Sequence, residues 1–290
     1  MPTRITALLL TTLLLTGCGQ PEPTAPERYA ASDALMASAL QRLDASEDLD
    51  KIVEIDHSRL GWEAGSVMPP ARVVMFSNAA FDAALLQKNP LVGIDLPFRV
   101  LAFEQTPGGE SAFIHNSFAF LQSRYGLDTL PGLREQHDRL VSEVVGEDPV
   151  ANFPTDQMQP DGIVTLPSPF DFETTLDRVQ VAIDAQDDTV NFGRVDFQQR
   201  ARDEGLLIRP STLVLFGGPG PGAKAMSEAP TLGLDAFCQK FLVWEDETGQ
   251  VHLSFNDLLA LAERQGVGPS LPLRVINRRL ESVFTEALSE

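Results

Sequence analysis

Displaced by 140 residues, the chain falls into register with itself, and this duplication limits the possible folds more than any other feature. Asp44-Ala45 meets Asp184-Ala185, Asp56 meets Asp196, Gly65 meets Gly205, Pro70 meets Pro210 and Phe76 meets Phe216. Pro90, Gly93 and Asp95 meet Pro230, Gly233 and Asp235, while Asn116, Arg124 and Gly126 meet Asn256, Arg264 and Gly266. Identity is about a fifth over roughly a hundred positions, against about a twentieth for unrelated chains. A period this long makes each unit a domain with its own core rather than one coil of a solenoid. Two domains are expected, at residues 34–145 and 162–290. The linker between them, 146–161, holds Pro149, Pro154 and Pro160 among acids and amides.

Both copies read in the same element order. An amphipathic helix (35–43; 173–185) precedes a short strand closing on an Asp (52–56; 190–196) and a short helix. A buried apolar strand follows (72–76; 212–216), then a helix that stops before Pro90 or Pro230, because the residue before a proline disfavours helical backbone. A hairpin (98–103 with 110–115; 240–244 with 250–255) and two helices close each unit. The second copy adds an opening strand at 162–166, whose counterpart in the first is absent or disordered. Strands and helices without regular βαβ alternation predict an α+β fold: two repeated small domains, each a mainly antiparallel sheet with helices packed on it.

The first eighteen residues read as an export signal. Arg4 precedes an apolar run at 5–15, which at roughly eleven residues is too short to span a bilayer core of about twenty. It ends in Leu15-Thr16-Gly17-Cys18, which resembles a bacterial lipobox, with Cys18 as the lipidation site. Acylation of its thiol and amine supplies the two or more chains that stable anchoring needs. Gly19 after the cysteine resembles outer-membrane lipoproteins, so the expected place is the cell envelope, on the outer membrane and facing the periplasm. Residues 19–33, with Pro21, Pro23 and Pro26, read as a proline-rich tether reaching roughly 40 Å.

Forty-one acids against 22 bases give a formal charge of −19, which argues against nucleic acid as a partner and against direct attraction to anionic head groups, since both would repel it. The balance fits a solubilising shell or, alternatively, a surface that binds cations weakly. With Cys18 acylated, Cys238 has no partner for a disulfide, so packing alone must stabilise the domains. Aligned by the repeat, Cys238 falls opposite Phe98, an apolar position.

Specific motifs recur within this frame. The first copy carries Ile55-Asp56-His57, Asn78, Gly93-Ile94-Asp95-Leu96-Pro97-Phe98-Arg99 and Asn116. The second carries Arg209-Pro210-Ser211-Thr212, Phe216-Gly217-Gly218-Pro219, Trp244-Glu245-Asp246 and Phe255-Asn256-Asp257. In order and spacing these resemble the domain-of-unknown-function 302 family, over nearly all of both halves. The first copy departs at Ser77 and Ala79, where the family has Gly and Pro. The second has Phe197 for the histidine and Ala236-Phe237 for the Leu-Pro pair. The resemblance implies a compact α+β fold of the TATA-binding-protein-like class, often paired as dimers. It implies no reaction.

Two functional readings follow. In the first, the protein is a non-enzymatic binding or assembly module whose two copies pack as an intramolecular pseudo-dimer. Its motivation is that each copy keeps a different part of the family pattern. In the second, a small-ligand or enzymatic site in the first copy gathers Asp56, His57, Asn78, Asp95 and Asn116, with His57 as the titrating group. The same residues also read as structural. Asp56 and Asn116 stand where they could cap helices, and Asp95 where it could bond its own backbone. No catalytic residue, cofactor or metal is assigned. The four histidines and Cys238 lack matched ligand spacing, and the glycine-rich 216–222 lacks the Lys-Ser/Thr ending of a phosphate loop.

Overall fold

The structure is a computed structural model that describes residues 25–106, 108–127, 132–153 and 162–289. The signal, Cys18, the start of the tether and residues 154–161 of the linker lie outside the described residues.

The first repeat runs α1 (Ala25–Ala45), β1 (Asp50–Asp56), α2 (His57–Glu63), β2 (Ala71–Ser77), α3 (Ala79–Leu86) and a 3-10 turn (Pro90–Ile94). It closes with β3 (Phe98–Glu104), β4 (Ser111–His115), α4 (Phe118–Tyr125) and α5 (Leu133–Val145). The second runs β5 (Ile163–Pro167), α6 (Phe172–Asp184), β6 (Val190–Asp196), α7 (Phe197–Asp203), β7 (Ser211–Gly217), α8 (Pro219–Met226) and a 3-10 turn (Pro230–Gly233). Strands β8 (Gln239–Glu245) and β9 (Val251–Asn256) and helices α9 (Leu258–Arg264) and α10 (Leu271–Ala287) complete it. The sheets order as β1-β2-β3-β4 and β5-β9-β8-β7-β6, antiparallel throughout. The expected α+β class and the opening strand β5 are therefore present.

Strands β2 and β7 read as almost unbroken apolar runs because they are buried on both faces. One face carries the repeat's own helices. There Phe284 of α10 lies edge-on to Phe216, Phe241 and Phe255, with ring centroids 6.2, 5.6 and 4.8 Å away. The other face meets the other repeat. A Cβ placed on Gly93 would come within 2.9 Å of Leu242 in β8, and one on Gly233 within 2.9 Å of His57 and 3.3 Å of Leu101 in β3. Each 3-10 turn thus lies on its neighbour's sheet, and glycine is the residue that permits the approach.

Three boundaries differ from the sequence reading. Helix α1 begins at Ala25 and takes in residues 25–33 of the expected tether. Tyr29, Ser32, Met36, Ala39 and Leu43, all buried, recur every three or four residues along one face. Pro26 lies in the first turn, where its missing amide costs nothing. Second, residues 149–151 of the expected linker run beside β4: Phe113 N–H donates to Pro149 O and Ala151 N–H to Phe113 O, each at 2.8 Å. They cover the edge that β5 covers in the second repeat, so neither sheet leaves that edge open.

Third, β8 is displaced by one residue. Phe76 pairs with Phe98 in the first repeat, whereas Phe216 pairs with Gln239 in the second. Cys238 therefore corresponds to Pro97, not Phe98, and Phe237 to Leu96; the Leu96-Pro97 and Phe237-Cys238 bonds are both cis. Lys240 takes the place of Arg99. Cys238 is buried, as an apolar position requires, and burial pushes its thiol up to about 11.

Candidate functional site

Asp56 and Asp196 each end a first strand and cap the following helix. The Asp56 carboxylate accepts the Arg59 amide, and that of Asp196 the Gln199 amide, both at 2.9 Å. Asn78 caps α3, accepting Phe81 N–H at 2.8 Å and donating to Asp48 O at 2.8 Å. His57, one residue past its cap, is buried with Nε2 3.1 Å from the Gly233 carbonyl of the second repeat. Burial lowers its pKa to about 4 against the pull of that carbonyl and of Asp56. The ring is neutral at pH 7, and its Nε2–H donates to Gly233 O.

The main concentration of buried charge lies between the repeats. Asp95 follows the first 3-10 turn and has no exposed side-chain surface. Its Oδ1 accepts Arg99 Nη2 at 2.9 Å; its Oδ2 accepts Arg124 Nη1 at 2.6 Å and the Tyr125 hydroxyl at 2.7 Å. Burial opposes ionisation there, but Arg124 and Arg99 outweigh it and hold the carboxyl well below the usual range. The second repeat builds the same unit: Asp235 accepts Arg264 Nη1 at 2.8 Å and Gln265 Nε2 at 3.0 Å. Lys240 donates to the Asp235 carbonyl at 2.5 Å; burial, then Arg99, brings its ammonium down to about 7.

Both arginines then reach across. Arg124 Nη2 donates to Asn256 Oδ1 at 2.7 Å, and Arg264 Nη2 to Asn116 Oδ1 at 2.6 Å. Arg99 adds a bond to Leu234 O at 3.3 Å. The exchange is reciprocal, residue i of one copy meeting residue j of the other and the converse, as in an isologous contact. Asp95 and Arg124 hold each other in the charged form.

A family model described as "Domain of unknown function DUF302" matches residues 30–144 and 164–287. The chain belongs to the DUF302 family. Among curated relatives, a protein named "Fluoride-specific ion channel FluC 1" from Brucella suis biovar 1 (strain 1330) is 37% identical over 109 residues, covering 38% of this chain and 42% of that one. The protein of the same name from Brucella abortus biovar 1 (strain 9-941) matches at 37% over 109 residues and 40% of its length. The chain thus spans about two fifths of the curated relatives it matches. A crystal structure of an uncharacterised DUF302 protein from Bacillus stearothermophilus aligns with 43% of this chain and 94% of that chain, at 16% identity and a TM-score of 0.36.

Within the DUF302 repeats, the five residues named from sequence do not line one cavity. Asp56 and Asn78 hold helix amides, whereas His57, Asp95 and Asn116 belong to the contact between repeats. Two structural readings need correction. Asp95 does not bond its local backbone, because a carboxylate buried this deeply needs cationic partners. Asn116 and Asn256 do not cap helices; their neighbours Ser117 and Asp257 do, which frees both amides to bridge the repeats. The reading from residue types missed Arg99, Arg124, Arg264 and Lys240. The signal was the repetition of Arg124 as Arg264 inside otherwise variable helices. The glycine-rich 216–222 ends β7 and opens α8, whose Ala223 lies against Gly61 of α2. Among the described residues, no three His, Cys, Asp or Glu side chains gather as metal ligands.

The glycine contacts are testable. Gly233→Ala drives a methyl into the fixed His57 ring and is expected to cost about 1–3 kcal/mol. Gly93→Ala meets only the flexible ends of Leu242 and Leu86 and should cost less. Thermal melts of both variants rank them, and equal melting would argue against close packing at the Gly233 turn.

Proposed function

We propose that the protein is a lipid-anchored envelope module that binds or assembles rather than catalyses. Its two DUF302 repeats, each of the TATA-binding-protein-like class, act as an intramolecular pseudo-dimer. The observation that carries this reading is the reciprocal exchange of Arg124 to Asn256 and Arg264 to Asn116. A two-fold device of this kind fixes one register between two copies, and the linker fixes their one-to-one ratio. No helix among the described residues is long and apolar enough to cross a membrane, and attachment in this account rests on acylated Cys18.

Anchoring has a direct test. In a Gram-negative host, wild-type protein should sediment with membranes and Cys18→Ser should appear in the soluble fraction. A Cys18→Ser protein that stays on the membrane would remove the lipid from the account. The relatives' name brings fluoride into any ligand screen. A melting shift in millimolar fluoride would make the ion itself part of the function, whereas conduction is not carried over from a match that covers two fifths of those proteins.

A further inference from the structure

The repeats leave a cleft of about 460 Å³ at one end of their contact, a volume in the range of small-molecule sites. Two motifs of the second repeat, distant in sequence, form one side: Arg209-Pro210-Ser211 and Trp244-Glu245-Asp246-Glu247. The end of α3 and Lys88 of the first repeat form the other, and Gln87 ties the walls together through Leu207 O at 3.1 Å. The cleft is thus composite, complete only when both repeats are in place.

Its lining is built for a ligand with two charges and an apolar body. Ser211 is 3% exposed, and its hydroxyl has no partner among the described residues. It stands where the cleft meets a smaller hollow of about 220 Å³. In an isolated core such a hydroxyl is costly, whereas beside a binding cleft it is a waiting hydrogen-bond group. The first repeat has Ala71 opposite Phe103 at the register position where the second has Ser211 opposite Trp244. The copies have therefore diverged here toward a polar group and a larger ring. The indole stacks on His252 at 4.5 Å and still lines the cleft.

The charges sort themselves further. Arg209 pairs with Glu245 at 3.6 Å, and Asp246 takes His252 at 2.8 Å. Lys88 and Glu247, one from each repeat, have no ion pair among the described residues. Leu86, Ile208 and Pro210 supply apolar wall.

We infer that this cleft binds a small zwitterion with an apolar or aromatic body, of the class of free amino acids and short peptides. Lys88 meets its carboxylate, Glu247 its ammonium, Trp244 its body and Ser211 one of its polar atoms. The inference rests on the binding-module reading and gives that reading a ligand class.

Three compounds sharing one ring separate the possibilities: L-phenylalanine, phenethylamine and 3-phenylpropionate. The full chain with Trp62→Phe retains Trp244 as its one tryptophan, and Trp62 is a half-exposed surface residue. Trp244 fluorescence and calorimetry should report binding of L-phenylalanine at least about tenfold tighter than either singly charged analogue. Lys88→Gln should remove the preference over phenethylamine, and Glu247→Gln the preference over 3-phenylpropionate. Ser211→Ala, which restores the residue of the first repeat, should weaken binding without lowering the melting temperature. Equal affinity for all three, tightest binding of a singly charged analogue, or no fluorescence response would overturn the inference. A scan showing the repeats melting independently would instead overturn the paired-repeat reading beneath it, so the two failures are distinguishable.

Discussion

Asp95→Ala is expected to destabilise the protein by about 3–5 kcal/mol, a drop in melting temperature on the order of 10 °C. The carboxylate is the anion shared by Arg99 and Arg124, whose side chains are 2% and 0% exposed. Its removal leaves two guanidinium groups deep in the protein with their nearest counter-ion gone, and the Tyr125 hydroxyl loses its acceptor. The loss should exceed that from removing a cap. Asp56→Ala deletes the helix-terminal bond together with the Ser58 hydroxyl bond and the Arg59 ion pair, all at a partly exposed site, and should cost about 1–2 kcal/mol. Urea titrations of the two variants beside wild type measure the difference directly. An Asp95→Ala protein no weaker than Asp56→Ala would mean that the centre is hydrated and the pairing contributes little.

The second large effect depends on pH. Asp82 of α3 is 2% exposed. One carboxyl oxygen accepts the Ser77 hydroxyl at 2.5 Å and the other has no partner, while Arg200 of the second repeat reaches the same hydroxyl at 3.0 Å. Burial pushes this carboxyl up to about 7, against that hydrogen bond and the Arg200 charge. The native state therefore holds a proton that the unfolded chain releases near 3.8. Its contribution is fully present below that value, declines as pH rises, and is gone above about 7, a change of about 4 kcal/mol. His57 acts in the opposite sense. Its pKa falls from 6.5 to about 4 on folding, so stability rises with pH across that window, by about 3 kcal/mol. The two effects offset each other between pH 4 and 6.5.

Asp82→Asn keeps a partner for Ser77 and removes the falling contribution. The variant should equal or trail wild type near pH 4, gain on it steadily to pH 7, and lead by a constant margin above that. Melts at half-unit intervals would show the divergence. A variant uniformly weaker at every pH would mean that Asp82 is ionised and held by Arg200.

The order of elements was legible because each leaves a local mark: alternation in the hairpins, proline after α3 and α8, and an Asp at the close of β1 and β6. The repeat then supplied two readings of each mark. The start of α1 was hidden because Pro21, Pro23 and Pro26 dominate the local composition, while the buried face beginning at Tyr29 depends on a sheet formed later in the chain. The displacement of β8 escaped alignment because an extra residue before the strand is balanced by a shorter hairpin after it, so the helices on either side keep their spacing. For the site, sequence singled out Asp95 and Asn116 but not their roles. Nothing local to Asp95 announces that Arg124, beyond a hairpin, will fold over it, and the partner of Asn116 lies in the other repeat. The cleft motifs at Arg209 and Trp244 were visible as family features, and only strand pairing brings them to one wall.

The two repeats must unfold as one body, because the ionic centre, the glycine contacts and the cleft are all shared between them. Differential scanning calorimetry of the Cys18→Ser chain tests this most directly. The expected result is a single transition whose calorimetric and van't Hoff enthalpies agree, and which Asp95→Ala moves down as a whole. Two resolved transitions, with Asp95→Ala lowering one and leaving the other in place, would contradict it.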